Sequence, residues 1–262
     1  MQNCFRSLER EGVRHLLIGG QASVAYGAAT FSEAVDLWVD PAPANFAALS
    51  RALRRAHAVI HKLTPPLESG YAPRGHGFHF VLPPDDAGPV FLDVMGRPPR
   101  VGPFARALAR STRVATAWGR IPVVGIPDLV ELKKTRRAGD YDVITNLVRI
   151  RLAAAGPNPG IALLRWGLAN CFRLDAAARI LTVFPRSRRA AASLSLDWSQ
   201  TLLAGWKPGE DIAETVAIET QGQLTAEMGR HQQGDIRYWS DILEELRTLR
   251  RAGGLLPEGR PL

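Results

Sequence analysis

Strand-forming runs occupy only the first half of this 262-residue chain, and that asymmetry limits the folds open to it. Residues 13–18, 34–39, 78–82, 90–94, 114–118 and 121–124 are short runs rich in β-branched and aromatic side chains, the make-up of buried or half-buried strands. The pair 78–82 and 90–94 is expected to meet across a turn at 83–86, and the last two runs around Gly119. Residues 21–26, 45–56, 127–134 and 140–153 read as helices; in 45–56 the apolar positions Phe46, Leu49, Leu53 and Ala56 share one helical face. Beyond the linker Gly156-Pro157-Asn158-Pro159-Gly160 the β-branched runs cease, and 161–170, 175–184, 190–204, 212–231 and 235–251 read as helices. The expected fold is therefore α+β (mixed α/β): a domain at 1–155 with a small mixed sheet, then a mostly helical domain at 160–262.

Composition excludes several classes. Hydrophobic residues make up 46% and charged residues 22%, which argues against disorder. No apolar run approaches the ~20 residues that cross a bilayer, so no membrane role is expected. The charged first residues lack the apolar core of a secretory signal. Cys4 and Cys171 are too few for a disulfide framework or a zinc cage, and a reducing cytoplasm is the expected setting. His76 with His79, and His57 with His61, have metal-ligand spacing without further partners; Gly75-His76-Gly77 reads as a turn, or a loop near a cleft. No Gly-x-Ser-x-Gly or Gly-x-x-x-x-Gly-Lys occurs, which removes the nucleophile-elbow and P-loop classes. Net charge is +8, with 19 basic and 13 acidic residues in 1–150. Such a balance favours polyanions, and simple solubility explains it equally well.

The residues suited to chemistry follow strands. Gly19-Gly20 closes the first run, where a turn can offer backbone N–H groups to a phosphate. Positions 34 and 36 share one face of the next strand, about 6.6 Å apart. Asp93 lies between Leu92 and Val94 on a later strand. Carboxylates converging from neighbouring strands hold a hard cation such as Mg²⁺ (magnesium), and repel one another without one. A further segment, Lys133-Lys134-Thr135-Arg136-Arg137-Ala138-Gly139-Asp140, carries two of only 4 lysines in a chain with 29 arginines. A compact ammonium suits a triphosphate, Arg136 or Arg137 a bidentate grip on its oxygens, and Asp140 the positioning of either while capping a helix. Taken alone, the segment is equally a solvated basic turn with an Asp cap.

Together these features resemble the nucleotidyltransferase fold of the DNA polymerase β superfamily over residues 10–150 or so: a strand ending in Gly-Gly, an Asp-x-Asp strand and a third acidic strand residue. In detail the chain looks most like minimal nucleotidyltransferases and AbiEii-type toxins of toxin–antitoxin systems, which carry a later Lys, Arg and Asp segment. The resemblance implies Mg²⁺-dependent transfer of NMP from an NTP to a hydroxyl, with the tRNA 3′ end as acceptor and an antitoxin protein as partner. A protein or small-molecule acceptor stays open. It implies Asp36, Asp93 and position 34 as metal ligands; Gly19, Gly20 and Lys133 or Lys134 against the triphosphate; Arg137 assisting; and Asp140 positioning.

The chain departs from the pattern at Ala34, where the first of the paired carboxylates belongs. Glu33 and Val35 point to the opposite face, and Asp40 is about 13 Å further along, so no neighbour substitutes. The loss reads as natural degeneration or as deliberate inactivation of an Asp, the intact remainder favouring the second. Asp142, two residues after Asp140 rather than three, also departs from the pattern. The rival reading is a catalytically dead nucleotide- or RNA-binding module; a third is a structural, antitoxin-like partner. The stripe Ile236, Trp239, Ile242, Leu243, Leu246 and Leu249 is expected to be core, with docking of an antitoxin or a second copy as the alternative. Arg165, Arg173, Arg179, Arg186, Arg188 and Arg189 read as an RNA-facing rim or as a solvated surface.

Overall fold

His15-Leu16-Leu17-Ile18 is apolar enough to sit inside a sheet, and it forms β1 (His15–Ile18), with neighbours on both sides. The computed structural model describes residues 1–85 and 88–262. They form an α+β fold that divides into two compact units, Met1–Leu132 with Arg237–Leu262, and Lys133–Ile236.

The first unit is built on a mixed sheet of seven strands. The other strands are β2 (Ala34–Val39), β3 (Val59–Ile60), β4 (Gly77–Asp85), β5 (Gly88–Met95), β6 (Thr112–Thr116) and β7 (Gly119–Val123), in the order β3-β4-β5-β2-β1-β7-β6. β1 runs antiparallel to β2 and parallel to β7, β2 runs parallel to β5, and the pairs β4–β5 and β6–β7 are hairpins. Alternation decides the two faces. Val35, Leu37, Phe78, Phe80, Leu92 and Val94 are buried on one, while Ala34, Asp36, His79 and Asp93 are half-buried on the other. Helix α3 (Pro43–Arg55) covers the apolar face, with Phe46 edge-on to Phe78 at 5.6 Å. Helix α1 (Gln2–Arg10) packs against α3 and buries Cys4, Phe5 and Leu8. The short α2 (Gly19–Ala25), α4 (Phe104–Ala109) and α5 (Ile126–Lys133) complete the helices of this region.

The chain returns to this sheet at its far end. Leu256 N–H donates to Thr64 O at 2.8 Å, Ile60 N–H to Arg260 O at 2.8 Å and Leu262 N–H to Ala58 O at 3.1 Å. These bonds cover β3, which would otherwise be an open edge. The turn expected at 83–86 differs from what is observed: Pro83, Pro84 and Asp85 extend β4, a bulge shifts the register between Leu82 and Asp85, and Asp86 lies outside the described residues. Prolines are tolerated at such a strand end because the ladder is already interrupted there.

The second unit is helical: α6 (Gly139–Ala153), α7 (Ile161–Ala169), α8 (Leu174–Val183), α9 (Ser187–Ala192), α10 (Asp197–Gly205) and the first part of α11 (Glu214–Arg251). Its core holds Tyr141, Leu147, Leu164, Leu168, Trp198 and Leu202. The linker at 156–160 lies inside this unit, between α6 and α7. One helix expected over 190–204 is two, broken where Ser193 and Ser199 hydroxyls donate to the Ala190 and Leu196 carbonyls. Two helices expected over 212–251 are one of 38 residues, because Gly229 and Gly234 weaken a helix by only about 1 kcal/mol each. Of its expected apolar stripe Ile242 is buried, Trp239, Leu246 and Leu249 are half-buried, and Ile236 and Leu243 are 43% and 41% exposed, so the stripe is core only in part. No helix among the described residues is long and apolar enough to cross a membrane.

Candidate functional site

The half-buried face of the first unit's sheet carries the candidate site. In the parallel β2–β5 pair Asp36 stands directly opposite Asp93, and Ala34 opposite Phe91. In-register partners point to the same side, so the two carboxylates project together from strands about 4.8 Å apart. Ala34 is on the same face of β2, one side-chain position from Asp36.

The glycines act by close approach. Gly19 has φ +65°, and a Cβ added there would overlap the Asp36 carboxylate. A Cβ on Gly20 would overlap the Ser32 hydroxyl. Their absence lets the first turn of α2 lie against β2, where the Gly20 N–H points to Asp36 Oδ2 at 3.4 Å. That N–H is thus aimed at the carboxylate rather than at an open phosphate position. Gln21 Nε2 donates to Ser32 O at 2.7 Å and the Ser23 hydroxyl to Gly19 O at 3.0 Å, fixing the turn.

His79 is brought to the site without having been expected in it. It faces Asp93 in the antiparallel β4–β5 ladder, and its Nδ1 lies 2.7 Å from Asp93 Oδ1. The carboxylate oxygen accepts, so the His79 Nδ1–H donates this hydrogen bond. Both side chains are about 30% exposed, at 28% and 30%.

Among the described residues no group of three or more His, Cys, Asp or Glu side chains surrounds a common point. Asp36 and Asp93 alone suit an ion that keeps several waters and takes its remaining ligands from substrate phosphates.

The second unit gathers the other expected residues around Asp140. Lys133 Nζ donates to Asp140 Oδ1 at 2.8 Å, Thr135 Oγ1 to Oδ2 at 2.5 Å and Arg137 Nε to Oδ2 at 3.1 Å. The Lys133 and Asp140 side chains are only 9% and 8% exposed, whereas Arg137 is 73% exposed. Burial pushes the Asp140 carboxyl up, but the Lys133 charge, the hydrogen bonds from Lys133 and Thr135 and the Arg137 charge outweigh it and hold the group below the usual carboxylate range. Lys134 is buried. Tyr141 Oη donates to Thr135 O at 3.1 Å and Asp235 accepts the Arg136 N–H at 3.0 Å, so the 133–137 turn is tied down on several sides. Asp142 takes no part in this cluster; it is an exposed partner of Arg173, at 3.2 Å. Comparison of the chain with protein-family models, with curated proteins and with solved structures finds no match in any of the three.

Proposed function

We propose that this chain is a nucleotidyltransferase-type protein whose first unit binds a Mg²⁺–NTP complex on the Asp36–Asp93 face. The observation that carries the reading is the in-register pairing of Asp36 with Asp93 beside Gly19, whose absent side chain makes room for a carboxylate. Two like charges on neighbouring strands repel, and a cation offsets that cost. Asp36 and Asp93 would hold the ion, with His79 orienting Asp93. When bound, Mg²⁺ neutralises charge on the triphosphate and polarises the phosphoryl group. In the transfer, the acceptor hydroxyl gives its proton to solvent water and its oxygen bonds to the α-phosphorus; the bond from that phosphorus to the bridging oxygen breaks, and pyrophosphate leaves with that electron pair. By the resemblance, the acceptor is the 3′-terminal hydroxyl of tRNA, and the protein is a toxin paired with an antitoxin.

Ala34 favours a second reading, a nucleotide- or RNA-binding module without turnover, because two carboxylates provide for one ion rather than two. One experiment separates the two. Isothermal titration with each NTP and Mg²⁺ measures binding by the chain as it stands, and Ala34→Asp is then assayed for transfer of labelled NMP to total tRNA, to protein and to small hydroxyl acceptors. Transfer restored by the carboxylate supports the enzyme. Binding without transfer to any acceptor leaves the binding module, and no binding at all overturns both.

A further inference from the structure

A second surface of the first unit has the chemistry of a polyanion site. A groove of about 630 Å³ runs between α1, the end of α3 and the end of β4. Helix α1 turns Cys4, Phe5 and Leu8 inward and presents Asn3, Arg6, Ser7 and Arg10 along the groove, the i, i+3, i+4, i+7 positions of one face. Arg55 and His57 form the facing wall. Among the described residues lining the groove there is no Asp or Glu, and neither Arg6 nor Arg10 has an ion-pair partner among them. Glu11, close by in sequence, is taken up by Arg51 and Arg55 at 2.7 and 2.6 Å, whose hydrogen bonds hold its carboxyl below the usual range.

The backbone supplies a separate observation. Helix α3 ends with Ala58 N–H bonded to Leu53 O and His57 N–H to Arg54 O, both at 3.0 Å, and His57 sits at φ +53°. That left-handed position after a helix is normally glycine. Here the chain accepts the strain and places an exposed imidazole on the groove wall. Leu82, Pro83 and Pro84 add an apolar surface beside the arginines.

From this arrangement we infer that the α1–α3 groove binds a single-stranded RNA segment, with Arg6, Arg10 and Arg55 on its phosphates and the His57 ring against a base. Cations one helical turn apart match a repeating phosphate backbone, and flat rings with apolar surface match unstacked bases. An acidic peptide would use the cations and leave the flat surface idle. The inference deepens the proposed function, resting on it only in identifying this RNA with the acceptor strand.

The test is fluorescence anisotropy of the full chain with a labelled single-stranded RNA of about twelve nucleotides, titrated over a range of salt. Arg6→Ala/Arg10→Ala is expected to weaken binding roughly tenfold to a hundredfold at 0.1 M salt and to lower the log–log salt slope by about 1.4. Arg6→Lys/Arg10→Lys is expected to keep most of the slope, and both variants to bind Mg²⁺–ATP as before by titration calorimetry. Unchanged RNA affinity and slope in the alanine variant overturn the inference. So does competition by polyglutamate as effective as RNA, which marks a general acidic-polymer surface, or by inorganic phosphate or pyrophosphate, which marks a free-phosphate site. RNA binding through these arginines with no NTP binding upholds the groove and overturns the transferase; NTP binding with no RNA response overturns the groove and leaves the nucleotide site standing.

Discussion

Gly19 shows how one missing side chain organises the candidate site. Its φ of +65° is costly for any residue with a Cβ, and the Cβ position is already filled by the Asp36 carboxylate. Gly19→Ala is therefore expected to lose about 2–3 kcal/mol of stability, from backbone strain and overpacking together, and to abolish the heat of Mg²⁺–NTP binding. Gly12 is the matched control, with φ +68° and nothing near its Cβ position. Gly12→Ala should cost the strain alone, about 1–2 kcal/mol, and leave binding intact, as urea unfolding and titration calorimetry would report. Asp36 and Asp93 were legible in the sequence because strand parity alone assigns their face. His79 was not. A hairpin closed symmetrically over 83–86 sets His76 opposite Asp93; the strands instead pair as far as Asp85 with Gly88, and a shift of one position between Leu82 and Asp85 then brings His79 opposite Asp93. Bulges answer to local twist and pairing, for which residue types carry little signal.

Elements are secured by polar clusters that a pattern of apolar residues does not reveal. At the start of α6, Asp140 is held below the usual carboxylate range mainly by Lys133, against the upward push of its burial. A group with a depressed folded pKa contributes stability that is present above its unfolded value, about 3.9, and is lost as pH falls through the folded value. Asp140→Asn leaves the Lys133 ammonium buried without its anion, so a loss of about 3–5 kcal/mol is expected at neutral pH. The gap between variant and wild type should narrow below about pH 4 as the wild-type carboxylate protonates. Urea midpoints measured from pH 3 to 7 would check both the size and the sign.

The end of α11 is fastened differently. His76 is fully buried; its Nε2 lies 2.7 Å from Glu245 Oε2, and Arg74 pairs with the same carboxylate. The Tyr71 ring meets His76 edge-on at 5.6 Å. Removing Glu245 strands a buried imidazole whose Nδ1 already has no partner among the described residues. Glu245→Ala should cost about 1–3 kcal/mol, and Glu245→Gln, which still accepts from Nε2–H, about half of that in thermal melts. The α4 helix and the β3 strand escaped a reading by periodicity because, at six and two residues, each is too short to complete a pattern. The long α11 was divided in that reading because Gly234 follows Gln232-Gln233, where no packing signal bridges the gap.

At the scale of the whole molecule, the division into a sheet-bearing region and a helical one was legible, since β-branched runs stop before the linker at 156–160 and do not resume. The return of 237–262 to the first unit was not, because it rests on pairing between residues about two hundred positions apart, such as Val59 with Pro261. Bonds of that range are set by which edge is left open after the rest has folded, and an open edge is a property of the assembled sheet. The same assembly makes the proposed ligand testable on the intact chain. A Mg²⁺–NTP complex that binds only the folded first unit adds about 2.7 kcal/mol when supplied at a hundred times its dissociation constant. In a chain of this size that corresponds to a rise of roughly 5–10 °C in melting temperature. The rise should require both components: EDTA should remove it, and NTP without the ion should produce little of it. Asp36→Asn and Asp93→Asn should each abolish it, since either change leaves one carboxylate to hold the ion, while Ala34→Asp should enlarge it by supplying a third. An equal rise with NTP alone, or one indifferent to Asp36 and Asp93, would show that the carboxylate face is not where the nucleotide binds.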